Sequence, residues 1–118
     1  MDSDKYSKLN FIPPASVAKE AAKGLLLHDK FKKGGTAVGI ARARDLKDRR
    51  NLSKSTIFRM ASYFARHEVD KQGKDFYNKE KPSKGYIAWL LWGGDVGWIW
   101  ALNLKSKIKK IDEKINNK

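Results

Sequence analysis

Apolar residues in this chain recur mostly at steps of three and four, the period of an amphipathic helix. Val17, Ala21 and Leu25, with Ala18, Ala22 and Leu26 beside them, predict a first helix ending near Phe31. Pro13-Pro14 cannot lie inside a helix but suits its entry, with Ala15 or Ser16 as the cap. Gly24 within it costs roughly 1 kcal/mol against alanine, which points to a close helix crossing. Thr36 caps a second helix, Ala37 to about Arg49, whose stripe is Ala37, Ile40, Ala41 and Leu46. Asn51-Leu52 breaks it. Ser53 opens a third, Lys54 to Val69, with Ile57, Met60, Ala61 and Phe64 inward and Arg59, Ser62 and Arg66 opposite.

Residues 70–82 have turn chemistry and no period, and read as a loop tethered by Phe76 and Tyr77. From Tyr86 to Trp100 the chain reads Y-I-A-W-L-L-W-G-G-D-V-G-W-I-W and holds all four tryptophans. This is a helix, a Gly93-Gly94-Asp95 corner and the start of another helix. Trp89 and Trp92, three apart beside Leu90 and Leu91, are core. Trp98 and Trp100, two apart, cannot share a helical face, so one ring is expected to be less buried than the other and the pair to be the candidate for a partner contact. Asp95 reads as the cap of a helix starting at Val96, with an Arg or Trp N–H as its other partner. Ala101, Leu104, Ile108, Ile111 and Ile115 then form a clean seam. No stretch needs to be a strand. The expected fold is all-α, a compact bundle of about five helices with a basic C-terminal helix: a polar arm over 1–12, a helical domain over 13–104 and a basic helical extension over 105–118.

Charge narrows the function. Among 118 residues, 26 Lys and Arg face 13 Asp and Glu, for a net charge of +13. The excess is concentrated: Lys30 to Lys54 holds nine cations against Asp45 and Asp48, and Lys105 to Lys118 six lysines against Asp112 and Glu113. Such a balance favours polyanions, either nucleic acid, DNA ahead of RNA, or an acidic protein surface. Cysteine is absent and His28 and His67 are the only histidines, so no metal, cofactor or disulfide framework is expected. Arg66 to Lys71, R-H-E-V-D-K, gathers His67, Glu68 and Asp70, but adjacent residues diverge on a helix. His67 suits a helix C-terminus on dipole grounds alone, and no enzyme is expected.

Tyr86 to Leu104 is nearly long enough to span a bilayer, with lysines following it. Asp95 near its centre would cost roughly 2.5–3.5 kcal/mol, and Gly-Gly would break the helix, so no membrane association is expected. The opening M-D-S-D-K-Y-S lacks the apolar core of a signal peptide. Host cytoplasm or virion interior is the expected location.

The second and third helices, ending in L-S-K-S-T-I-F-R-M, resemble the helix-turn-helix of bacterial repressors, in which S-x-x-T-[VI]-x-R opens the recognition helix. That resemblance implies that Ser53, Lys54, Ser55, Thr56 and Arg59 lie at the helix end that enters a major groove. Lys32, Lys33, Arg42, Arg44, Lys47, Arg49 and Arg50 complete the candidate nucleic-acid set. The chain departs from the motif in its longer first helix and in Arg49-Arg50-Asn51 where a glycine turn is usual. Gly34-Gly35-Thr36, with Lys32 and Lys33 adjacent, offers a phosphate free N–H groups, yet matches no nucleotide fingerprint.

Three blocks in combination, G-G-T-A-V-G-I-A-R-A-R-D-L, L-S-x-x-T-I-x-R-M-x-x-Y-F-x-R-H-E-V-D-K and K-P-S-x-G-Y-I-A-W-L-L-W-G-G-D-x-G-x-x-W-A, resemble a small domain recurring in tailed-phage, prophage and large-virus proteins. The resemblance runs from about Ala15 to Ala101 and implies a viral or mobile-element origin, with no settled activity. Where that family often carries a charge near Trp98, this chain has Trp98-Ile99-Trp100. Two expectations follow: a basic accessory protein that binds nucleic acid non-enzymatically, in the virion, in packaging or on host nucleic acid, or a small phage effector that docks on an acidic host or viral protein such as a defence nuclease.

Overall fold

Three of the helices begin where a hydroxyl meets their first free N–H groups. Thr36 Oγ1 accepts from Gly39 N at 3.2 Å, Ser53 Oγ from Thr56 N at 3.1 Å and Ser83 Oγ from Tyr86 N at 3.0 Å. The structure, a computed structural model, describes residues 5–116. Its helices are α1 (Ala15–Phe31), α2 (Ala37–Lys47), α3 (Lys54–His67), α4 (Lys84–Leu91) and α5 (Gly94–Asn116), with a 3-10 turn over Glu68–Gln72. No strand occurs among the described residues. The fold is the expected all-α bundle. Residues 1–4 and 117–118, the extremes of the expected arm and extension, lie outside the described residues, as does the side chain of Ile115.

Some boundaries differ from expectation, each for a local reason. Neither Ala15 nor Ser16 caps α1. Pro14 holds the extended cap geometry (φ −61°, ψ 158°) and its carbonyl accepts from Val17 N and Ala18 N. The second helix ends at Lys47, because Arg49 turns left-handed at φ 51°. Its N–H donates to the Leu46 carbonyl, and the Arg50 N–H to that of Asp45. This is a Schellman closure built on arginine where glycine is usual. The third helix yields to the 3-10 turn at Glu68, two residues early.

Helix α4, eight residues long, buries Tyr86, Ile87, Trp89, Leu90 and Leu91 and sits at the centre of the packing. Helix α1 crosses it at Gly24, where a Cβ would stand 2.7 Å from the Leu91 backbone nitrogen. The expected close crossing is therefore present. At the far end of α4, Gly93 and Gly94 take φ values of 115° and 68°, which turns the chain sharply into α5. Helix α3 brings Ile57, Met60, Ala61 and Phe64 to this core, as its period predicts, and adds Tyr63. Trp89 is 1% exposed, and its truncation to alanine would cost about 3–5 kcal/mol.

The expected stripe of α2 is displaced. Gly39, Ala43 and Leu46 are buried, whereas Ala37 and Ala41 face solvent and Ile40 is half-buried. A Cβ on Gly39 would lie 3.3 Å from Trp92 Nε1, so α2 is held close by its smallest residues. Helix α5 runs unbroken through Leu104 and Lys105, and Ala101, Leu104 and Ile108 are buried along it. The described part of the arm is folded onto the bundle. Leu52 N donates to the Phe11 carbonyl at 3.1 Å, and buried Tyr6 donates to Asp112 Oδ1 at 2.7 Å.

Candidate nucleic-acid interface

The outward face of α3 carries Arg59, Ser62 and Arg66, spaced as neighbours on a helix surface. Beside it stand the first turn of α2, with Gly35, Thr36 and Val38, and one side of α4, with Lys84, Ala88 and Trp92. Together they enclose an open groove of about 760 Å³. The Gly34-Gly35 turn sets its edge by lying directly on α4, where a Cβ on Gly34 would stand 2.7 Å from Ile87 Cβ. His28 Nδ1, 2.8 Å from the Gly34 carbonyl oxygen, fixes the turn from α1.

A stack of planar groups braces the groove. Tyr63 lies parallel to Trp92 at 4.6 Å between centroids and 7° between planes. His67 stacks against Tyr63 at 4.5 Å, and the Arg42 guanidinium lies 5.7 Å from the Trp92 ring. Burial pushes the Tyr63 hydroxyl well above its ordinary pKa, reinforced by the charge of Asp70. Burial also lowers the Arg42 guanidinium from its usual value, against the nearby Asp45 carboxylate. Neither the Tyr63 hydroxyl nor Arg42 Nε, both shielded from solvent, has a hydrogen-bond partner among the described residues.

Three cations, Arg59, Arg66 and Lys84, line this concavity together with His67 and no carboxylate. Asp70 sits behind His67, 3.2 Å from its Nδ1, and against Gly85, off the lining. A cleft lined by one sign of charge with low-dielectric walls focuses its field outward.

The other expected contact residues divide into two groups. Arg42 belongs to the stack. Arg49 Nε donates to the Pro13 carbonyl at 2.8 Å, and Arg50 lies between Asp45 at 3.5 Å and Asp48 at 3.9 Å. Lys54 donates to Tyr6 at 3.0 Å and pairs with Asp112 at 3.4 Å, while the hydroxyls of Ser55 and Thr56 turn to Ser53 Oγ. Each of these side chains has a partner within the chain. Lys32, Arg44 and Lys47 are exposed and Lys33 half-buried, with no ion pair among the described residues, and Arg59 alone of the expected set lines the groove. Helices α2 and α3 do not pack on one another. Helix α2 lies on α1 and α4, and α3 on α5, so the tight two-helix unit of a helix-turn-helix is not formed. Arg66 and Lys84, which share this lining with Arg59, were not among the expected residues, although the outward i, i+3, i+7 spacing of Arg59, Ser62 and Arg66 carried the signal for the first of them.

The tryptophan segment also differs from expectation. Asp95 lies inside the first turn of α5 and does not cap it, but it has the expected Trp N–H partner and ties three elements together. Its carboxylate accepts from Trp89 Nε1 at 2.9 Å and Tyr77 Oη at 2.7 Å, and meets Lys71 Nζ at 2.7 Å. Trp98 stacks 5.9 Å from Phe64 and stands edge-on to Trp89 at 5.5 Å. Trp100 lies in a cleft with Leu9 and Leu104, and both indoles are half-buried against the core. The large apolar side chains that α5 exposes are instead Val96, Ile99 and Leu102. Among the described residues, no helix is long and apolar enough to cross a membrane, and no group of His, Asp and Glu is placed to hold a metal ion. No protein-family model, curated protein or solved structure matches the chain.

Proposed function

We propose that this is a basic, helical accessory protein of a virus or mobile element that binds nucleic acid, DNA ahead of RNA, without catalysing a reaction. The observation that carries the reading is the groove between α2 and α3, where Arg59, Arg66 and Lys84 converge with no carboxylate on the lining. Bringing like charges into one concavity disfavours the free protein, and a phosphodiester chain would relieve it. The exposed Lys32, Arg44 and Lys47 add a sequence-independent attraction around it. Nothing in this arrangement requires a nucleophile, a metal or a general base.

The test is a gel shift across a salt series. With about six phosphates neutralised, log K should fall against log salt with a slope of roughly −5. Exchanging Arg59 and Arg66 together for glutamine should weaken binding by at least about tenfold and lower the slope by about two. Absence of binding at low salt would sink the proposal. A second reading, docking on an acidic protein, is favoured by Val96, Ile99 and Leu102, which form an exposed apolar line on α5 beside exposed Lys109. Loss of partner capture on Ile99→Asp with nucleic-acid binding intact would support it.

A further inference from the structure

We infer that the groove takes a single strand, with an unpaired base lodged between Val38 and Phe58 and its phosphates on Arg59, Arg66 and Lys84. The inference rests on the nucleic-acid reading above and narrows it to one form of the ligand.

The shape of the groove favours a single strand. A protein that reads a duplex places a protruding helix or ribbon in a major groove about 12 Å wide. Here the cations of α3 face a concavity, with the start of α2 and α4 standing beside them. A duplex would meet only the rim, whereas a single strand can enter. The volume of about 760 Å³ falls within the range of clefts that enclose small molecules, roughly 300–1,000 Å³, which suits a nucleotide.

The chemistry of the groove walls favours it too. Val38 is 58% exposed, and Phe58 is half-buried yet lies outside the hydrophobic core. These two apolar side chains, one from α2 and one from α3, line the same groove without serving the packing of the bundle. An aromatic ring beside cations is the arrangement that binds single strands without sequence preference, because every base has a π-face. The ammonium group of Lys105 lies 5.8 Å from the Phe58 centroid, which places further positive charge where a flanking phosphate would pass. The stacked Trp92, Tyr63 and His67 hold the floor rigid, so little ordering is required on binding.

The experiment is fluorescence polarisation with labelled oligothymidylate and with a mixed-sequence duplex of equal length, at one salt concentration. The wild-type protein is expected to bind the single strand about tenfold tighter or more. Phe58→Ala should lower single-strand affinity by roughly tenfold and leave the duplex unchanged. Val38→Ala, at an exposed position and without a change of charge, should act in the same direction to a smaller extent, and serves if Phe58→Ala disturbs the fold. Equal affinity for both forms, or no effect of either variant on the single strand, overturns this inference while the nucleic-acid reading stands. Failure to bind either form overturns both, as does capture of polyglutamate in preference to the oligonucleotide.

Discussion

Lys71 and the cations of the groove are both set against aromatic rings, and they differ in whether an anion comes with them. Lys71 Nζ lies 4.9 Å from the Trp89 ring, 5.5 Å from Trp98 and 5.9 Å from Tyr77, with Asp95 at 2.7 Å. That corner is complete. Its charge, its indole N–H and its phenol all meet one carboxylate. Arg59, Arg66 and Lys84 stand beside Phe58, Tyr63 and Trp92 with no acid on the lining. A cation neutralised within the chain serves the fold, and one left facing a concavity remains available to a ligand. The same division sorts α2 and its flank, where Arg49, Arg50 and Lys54 are engaged and Arg44 and Lys47 are not.

The comparison predicts that the two regions separate stability from binding. Asp95→Ala should lower stability more than any exchange of a groove cation. It strands the Nε1 donor of Trp89, a residue 1% exposed, and a buried donor without a partner costs about 1–3 kcal/mol. Thermal melting should fall by on the order of 10 °C, with oligonucleotide affinity unchanged at temperatures where the variant is folded. A variant of unchanged melting temperature would show that the corner is dispensable.

Acid should act on the same corner more weakly. Partial burial pushes the Asp95 carboxyl up, but the bonds from Lys71, Tyr77 and Trp89 together outweigh it and hold the pKa below its ordinary value. A carboxyl depressed in the folded state stabilises fully above its unfolded pKa of about 3.9 and loses that contribution as pH falls through the folded value. The side chain is 45% exposed, so solvent screening keeps the effect under about 1 kcal/mol. Melting temperature should therefore decline below about pH 4, and less steeply in Asp95→Asn than in wild type. Parallel declines would remove Asp95 from the acid response.

How far these regions are legible in the sequence follows from the range of the interactions that build them. Thr36, Ser53 and Ser83 announce their helices because a cap joins residues three apart. Ile57, Met60, Ala61 and Phe64 announce a face because bulky residues repeat at the helical period. Helix α2 hides its face, since Gly39 and Ala43 are buried through close approach and carry little apolar signal. Asp95 reads locally as a cap, and only tertiary folding brings Lys71 and Tyr77 to it. Arg59 could be placed on an outward face. Nothing local relates it to Lys84, which reaches the groove from another helix after the intervening loop has folded back. Lys54 reads as a solvent-facing cation at a helix start until the arm delivers Tyr6, and α5 Asp112, to it.

The smallest expected effect is the most direct test of the contrast between concave and convex charge. Arg44→Gln with Lys47→Gln removes two positive charges from the exposed side of α2, away from the groove lining. Arg59→Gln with Arg66→Gln removes the same two charges from within it. If net charge alone drove association, the two pairs would weaken binding equally. Charges in water are screened over about 8 Å at physiological ionic strength, whereas those in a cleft act in a lower dielectric and at closer range. The α2 pair should therefore lower affinity only about two- to threefold, against at least about tenfold for the α3 pair, with circular dichroism and melting temperature unchanged in both. Equal losses would reduce the groove to one patch of a uniformly basic surface. Unequal losses would show that the missing carboxylate, more than the excess of lysine, marks the site.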